Sequence, residues 1–209
     1  MKLRSAGLIL AALSSVVMFG CGKANSTGGA RTKPPAAVSG GPYEGSGPNL
    51  LKNGDFEQAD GSDATLPADW QRLQSTAETV LLVERGTDPS TGRAVEIRAH
   101  PEGKYWQVLT QDLPLPDSAT TYFVSFDGSV MTTGRGRVAL YLKKKGDKFE
   151  RLGARDFDNE EWETHSFVAR VPSEGAEGLE LRLSHGDYKQ VGSVVRFDNV
   201  SVQRAVTVQ

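Results

Sequence analysis

The chain has 209 residues, 38% of them hydrophobic, and its 24 Lys and Arg against 26 Asp and Glu leave a net charge of −2. That balance offers no basic excess of the kind a nucleic-acid surface requires, so no nucleic-acid partner is expected. A single cysteine excludes an intrachain disulfide and any zinc site built from paired cysteines.

Met1-Lys2-Leu3-Arg4 places two positive charges ahead of an apolar run from Ala6 to Phe19, broken only by Gly7, Ser14 and Ser15. Charge, a short apolar segment and then a small residue is the order of an export signal, and the run is short for a transmembrane helix. The stretch Val17-Met18-Phe19-Gly20-Cys21 resembles the signal of bacterial lipoproteins. The resemblance implies a signal peptide over residues 1–20, cleavage after Gly20, a diacylglycerol on Cys21 and a membrane held through that lipid anchor. Gly22, where inner-membrane lipoproteins usually carry Asp, implies the outer membrane, with the periplasmic or exterior face left open. Acylated, Cys21 leaves no thiol for catalysis. The alternatives are cleavage to a soluble secreted protein, or a cysteine without a role.

Residues 21–48 read as a flexible linker. Of residues 22–48, 14 are Gly, Pro or Ser, and large apolar side chains are nearly absent. Such a segment buries too little surface to offset its ordering entropy, and as a coil it spans on the order of 30 Å.

The folded part is expected over residues 49–204, with 205–209 a tail. Apolar residues alternate with period two at Tyr122, Val124 and Phe126, then at Val138, Leu140 and Leu142. They do so again at Leu179, Leu181 and Leu183, and finally at Val195, Phe197 and Asn199. Period two marks half-buried strands. Turn signals separate them at 87–92, 114–118, 145–147, 172–175 and 184–187. Eight to ten short strands without a sustained helical stripe predict an all-β, two-sheet sandwich with Greek-key wiring.

The domain opens with Asn49 to Glu57, which contains Asn53-Gly54-Asp55-Phe56, and Leu66-Pro67-Ala68-Asp69-Trp70 follows. It closes with Val195-Arg196-Phe197-Asp198-Asn199-Val200-Ser201-Val202. Between lie Gly92 to Ile97, Gln111 to Leu115, Thr121 to Phe126 and Trp162 to Phe167. In this order the set resembles the carbohydrate-binding modules of the CenC type, within the galactose-binding-like jelly rolls. The resemblance implies a jelly-roll β-sandwich, binding of a polysaccharide or glycoconjugate, and first and last strands lying side by side.

That adjacency would bring Glu57 and Asp198 together, and many relatives carry a structural calcium at the matching positions, so a possible calcium is implied there. Otherwise both are ordinary solvated carboxylates or acceptors for turn amides. No organic cofactor is expected. Sugar binding needs aromatic rings for stacking and polar groups for hydroxyls. Tyr105-Trp106-Gln107 supplies rings and an amide, and Tyr141, Arg137, Arg182 and Glu180 fall on outward strand faces, with Tyr188 near the final turn. The alternative is a Trp106 packed under a loop and charges that form a solvated sheet face. Trp70 and Trp162 read as structural. Gln111 shares a face with Leu109 and Leu113 and reads as a buried amide bonding backbone. The chain departs from sugar-binding relatives that place a second Gln where Leu109 or Thr110 stands.

Catalytic patterns fail. His100, His165 and His185 are far apart, and no Gly-x-Ser-x-Gly elbow occurs. Gly134-Arg135-Gly136-Arg137 precedes a strand where a dinucleotide loop requires a helix. Asp156 to Glu161 imitates the paired carboxylates of a β-sandwich glycosidase, but its first position is Asp. The leading expectation is a lipid-anchored, non-catalytic binding module at the cell envelope, accessory to a separate glycoside hydrolase. The alternatives are an envelope protein-interaction or assembly module with no sugar site, and a glycosidase.

Overall fold

The structure, a computed structural model, describes residues 42–87, 91–187 and 189–208. The leader, Cys21 and the linker as far as residue 41 lie outside the described residues, as does Tyr188. Eleven strands follow in chain order: β1 (Tyr43–Ser46), β2 (Gln71–Leu73), β3 (Val80–Glu84), β4 (Arg93–Arg98), β5 (Val108–Leu113), β6 (Thr120–Val130), β7 (Gly136–Lys144), β8 (Lys148–Phe157), β9 (Glu163–Val171), β10 (Gly178–His185) and β11 (Val194–Thr207). One sheet runs β3-β4-β11-β6-β9, with β1 also paired to β11; the other runs β2-β5-β10-β7-β8. Every pairing is antiparallel, and few neighbours in a sheet are consecutive in sequence. This is the two-sheet sandwich that the alternation predicts, with the jelly-roll form that the resemblance implies.

The period-two rows face inward. Val138, Leu140 and Leu142 of β7 lie against Leu179, Leu181 and Leu183 of β10, and Val124, Phe126, Val195 and Phe197 come from the opposite sheet; all are essentially inaccessible. Each such side chain contributes about 1.5–3 kcal/mol by leaving water. Phe157 bridges the layers: its ring centroid is 5.6 Å from that of Phe126 and 5.5 Å from that of Phe197. Two glycines make room for it. A Cβ on Gly128 would stand 2.7 Å from its ring, and one on Gly136, its register partner, would collide with it.

Three expectations change. The sheet begins before residue 49 and runs past 204, because Tyr43–Ser46 pairs with Arg204–Thr207. These residues are low in apolar content; a backbone ladder, not a buried face, holds them. Ser184 and His185 belong to β10 and not to a turn, and both are buried. Asn199 does not continue the row of Val195 and Phe197. The register shifts between Asp198 and Ser201, Asn199 takes φ 48°, and Val200 becomes buried instead. An irregular step of this kind transfers the inward position to a neighbouring residue.

The lead-in 49–58 clasps the end of β11. Asn49 accepts the amide of Val202 at 2.9 Å and donates to the carbonyl of Val200 at 3.1 Å. Gln111 is the buried amide the sequence suggests: its Oε1 accepts the Lys52 amide at 2.8 Å and its Nε2 donates to the carbonyls of Lys52 and Asp69. Trp70 is buried against Phe56, with ring centroids 5.3 Å apart, and donates its indole N–H to the Asn53 carbonyl.

Candidate ligand cleft

The outer face of the β2-β5-β10-β7-β8 sheet is built from cross-strand rows. Leu73, Val108, Ser184, Arg137 and Asp156 are successive register partners on the five strands. The next outward row carries Thr110, Arg182 and Ala139, and the one after it Asp112, Glu180 and Tyr141. Val108, Ala139 and Ser184 are short, so a depression forms where they meet. Trp106, immediately before β5, and Tyr141 stand over this floor with Arg137 and Arg182. Together with Leu73 and Gln74 they enclose a cleft of about 220 Å³.

The charges around the cleft are ordered. Arg137 grips Asp156 with Nε and Nη2 at 2.6 and 2.8 Å. That guanidinium holds the Asp156 carboxyl below the usual carboxylate range. Glu180 is buried and takes Arg182 Nε on one oxygen and Lys143 at 2.9 Å on the other. Burial alone would raise its pKa, but the hydrogen bonds from Lys143 and Arg182 hold it below its ordinary value. The Arg182 guanidinium also lies over two rings, 4.7 Å from the centroid of Tyr141 and 4.2 Å from that of Phe149. Contacts of this type contribute about 0.5–2 kcal/mol and fix the planar group in place.

Of the eight residues named for sugar contact, four, Trp106, Arg137, Tyr141 and Arg182, line this one cleft. Tyr188 lies outside the described residues, and Glu180, Gln107 and Tyr105 are not in the lining. Gln107 is 1% exposed: its Oε1 accepts Thr79 Oγ1 at 2.6 Å and its backbone amide donates to His185 Nε2 at 3.2 Å. It shares the inward face with Leu109, a parity the sequence already contains. Tyr105 is 54% exposed, edge-on to His100, and outside the cleft lining. Trp106 is half-buried and stacks on His185, with centroids 5.6 Å apart and an interplanar angle of 14°. Burial pushes the His185 pKa down, so a neutral ring sits beneath the indole. The sequence reading missed Leu73, Gln74 and Ser184 in the lining, and the 45% exposed Phe149 beside it. Gln74 has φ 55°, for which the sequence gives no signal.

Glu57 and Asp198, the residues implied for calcium, each bond other groups. Glu57 is exposed and accepts the Arg93 amide at 2.9 Å. Asp198 is buried and bonds Arg85 and the Asn199 amide. Its like-charged neighbour is Asp127, which takes Arg85 Nη2 at 2.9 Å, and the Arg85 guanidinium is stacked 4.5 Å from the Trp162 ring centroid. The positive charge assigned to a metal is thus already supplied by a side chain. No group of three or more His, Cys, Asp or Glu side chains among the described residues is placed to hold a metal ion.

No protein-family model and no curated protein matches the chain by sequence. Solved structures do match it by shape. A family 16 carbohydrate-binding module aligns with a TM-score of 0.52 at 17% identity, over 74% of this chain and 99% of its own. The CBM22-2 xylan-binding domain from Paenibacillus barcinonensis aligns with a TM-score of 0.54 at 15% identity, over 72% of this chain and 97% of its own. An arabinose-bound α-L-arabinofuranosidase gives 0.54 at 14% identity, over 75% of this chain but 26% of the enzyme. At such identities the likeness establishes a shared fold: this chain has the jelly-roll sandwich of the carbohydrate-binding modules.

Proposed function

We propose that the described domain is a non-catalytic carbohydrate-binding module that takes a polysaccharide or glycoconjugate in the Trp106–Tyr141 cleft. The observation that carries this reading is the convergence of two aromatic rings and two arginines over a floor of short side chains on one sheet face. Rings stack on the apolar C–H faces of sugars, and guanidinium donors serve hydroxyls. The fold neighbours named above, one of them xylan-binding, support the reading by analogy. Asp156 offers a glycosidase no free carboxylate, since Arg137 bonds both of its oxygens at 2.6 and 2.8 Å.

The same proposal places the chain at the cell envelope. The Val17–Cys21 pattern supports a lipid on Cys21, and Gly22 after it supports an outer-membrane address, where the module would concentrate glycan or present it to a separate glycoside hydrolase.

Polysaccharide pull-down with the full chain tests the first part. Trp106→Ala and Tyr141→Ala should abolish retention while leaving a cooperative melt; unchanged retention would show that the site lies elsewhere. Co-purification of envelope proteins without any glycan retention would favour the interaction-module reading. Radiolabelled palmitate should enter the wild-type chain in cells and not Cys21→Ser, and equal labelling of both would remove the anchor.

A further inference from the structure

The charged groups of the cleft lining are both donors, Arg137 and Arg182, and its side-chain acceptors are the uncharged Gln74, Tyr141 and Ser184. Arg182 gives Nε to Glu180, and its Nη1 and Nη2 have no hydrogen-bond partner among the described residues. Arg137 commits Nε and Nη2 to Asp156, and its Nη1 likewise has none there. No carboxylate is among the lining residues. The two nearest, Asp156 and Glu180, are already engaged by these same arginines. Arg151, the register partner of Tyr141 on the same outer face, adds a further cation.

A guanidinium only donates, whereas a sugar hydroxyl both donates and accepts. A carboxylate only accepts, and its two oxygens match the fork of an arginine edge to edge. Arg182 is also prepared for that role. Glu180 holds its Nε and the rings of Tyr141 and Phe149 hold its plane. Its register partner on β7 is the small Ala139. A fork fixed before the ligand arrives loses less freedom on binding.

We infer that the cleft takes an acidic polysaccharide, with a uronate carboxylate on the Nη edge of Arg182 and an adjoining sugar ring against Trp106. This rests on the reading of the cleft as a sugar site and adds the class of sugar. Because Asp156 and Glu180 offset much of the local charge, selection comes from directed donors more than from net field.

Affinity electrophoresis of the full chain in gels containing polygalacturonate, its methyl ester, alginate, neutral xylan or dextran sulfate tests the inference. Retardation by polygalacturonate or alginate at least ten-fold stronger than by the methyl ester and xylan is expected. Arg182→Gln should erase that difference, with Glu180 still paired to Lys143. The double variant Glu180→Gln with Arg182→Gln, which leaves no buried carboxylate behind, should erase it as well. Equal retardation by the acid and its ester overturns the acidic preference and leaves the sugar site standing. Dextran sulfate held as tightly as the uronates would also overturn it, since charge alone would then suffice. Retardation by none of the five removes both readings.

Discussion

Asp127 and Asp198 are register partners on β6 and β11, both buried, and one guanidinium, that of Arg85, is divided between them. Burial pushes the Asp198 carboxyl up to about 7 even with Arg85 against it, and the neighbouring Asp127 charge adds a little to the rise. The folded protein therefore keeps a proton on Asp198 over a range, from about 4 to about 7, in which the unfolded chain has released it. This contribution is present below that range and is lost as pH rises through it. His165 and His185, whose pKa values burial lowers, act in the opposite sense below their ordinary value of about 6.5. The clean readout is a difference between variants. Asp198→Asn should gain stability relative to the wild type as pH goes from 5 to 8, by at most about 1.4 kcal/mol per pH unit. Urea midpoints of the two proteins at the two pH values decide it, and parallel curves would refute the titration of Asp198.

Arg85 stands where a metal was expected, so calcium should do nothing. The thermal midpoint of the wild type is expected to be the same in calcium and in chelator. Arg85→Met, by contrast, should lower stability by about 3–5 kcal/mol, since it strands two carboxylates in a buried setting. A calcium-dependent rise in the wild-type midpoint would mean that a metal site does exist in this chain.

Gln107 and Trp106 are adjacent in sequence and opposite in role. Gln107→Ala removes a buried amide bonded to Thr79 and should cost about 1–3 kcal/mol. Glycan retention by the protein that remains folded should be unaffected. A Gln107→Ala protein of normal stability that fails to bind would return this side chain to the ligand site.

The slot around Phe157 predicts coupling. Gly136→Ala introduces a methyl group against the ring and should destabilise by about 1–3 kcal/mol. In a Phe157→Leu background the same change should cost much less, because the colliding edge is gone. A double-mutant cycle in denaturant measures this directly, and additive costs would place the strain elsewhere.

How far the sequence led depended on whether a residue announces itself by periodicity. The rows of β6, β7 and β10 did, because one side of each strand faces a dry interior, and they dictated the sandwich. Strand β1 did not: Tyr43-Glu44-Gly45-Ser46 alternates too weakly in burial to stand out from the linker composition around it. Parity along the strand would have turned Gln107 inward beside Leu109 while leaving Trp106 outward. Arg85 gave no signal at all, because it lies in a turn-rich segment and its partners are 42 and 113 positions away. Long-range ion pairs leave no local pattern. Phe149 was not singled out, and the bulge between Leu140 and Tyr141 and the reach of Arg182 bring it to the cleft.

The ladder between β1 and β11 sets Tyr43 opposite Thr207, so the backbone enters and departs this sheet at a single corner. A reporter domain fused after residue 208 would emerge beside whatever precedes Pro42. Bridging those two ends with a few residues and reopening the polypeptide at the exposed Lys145–Asp147 tip would give a circular permutant in which each interstrand ladder is retained.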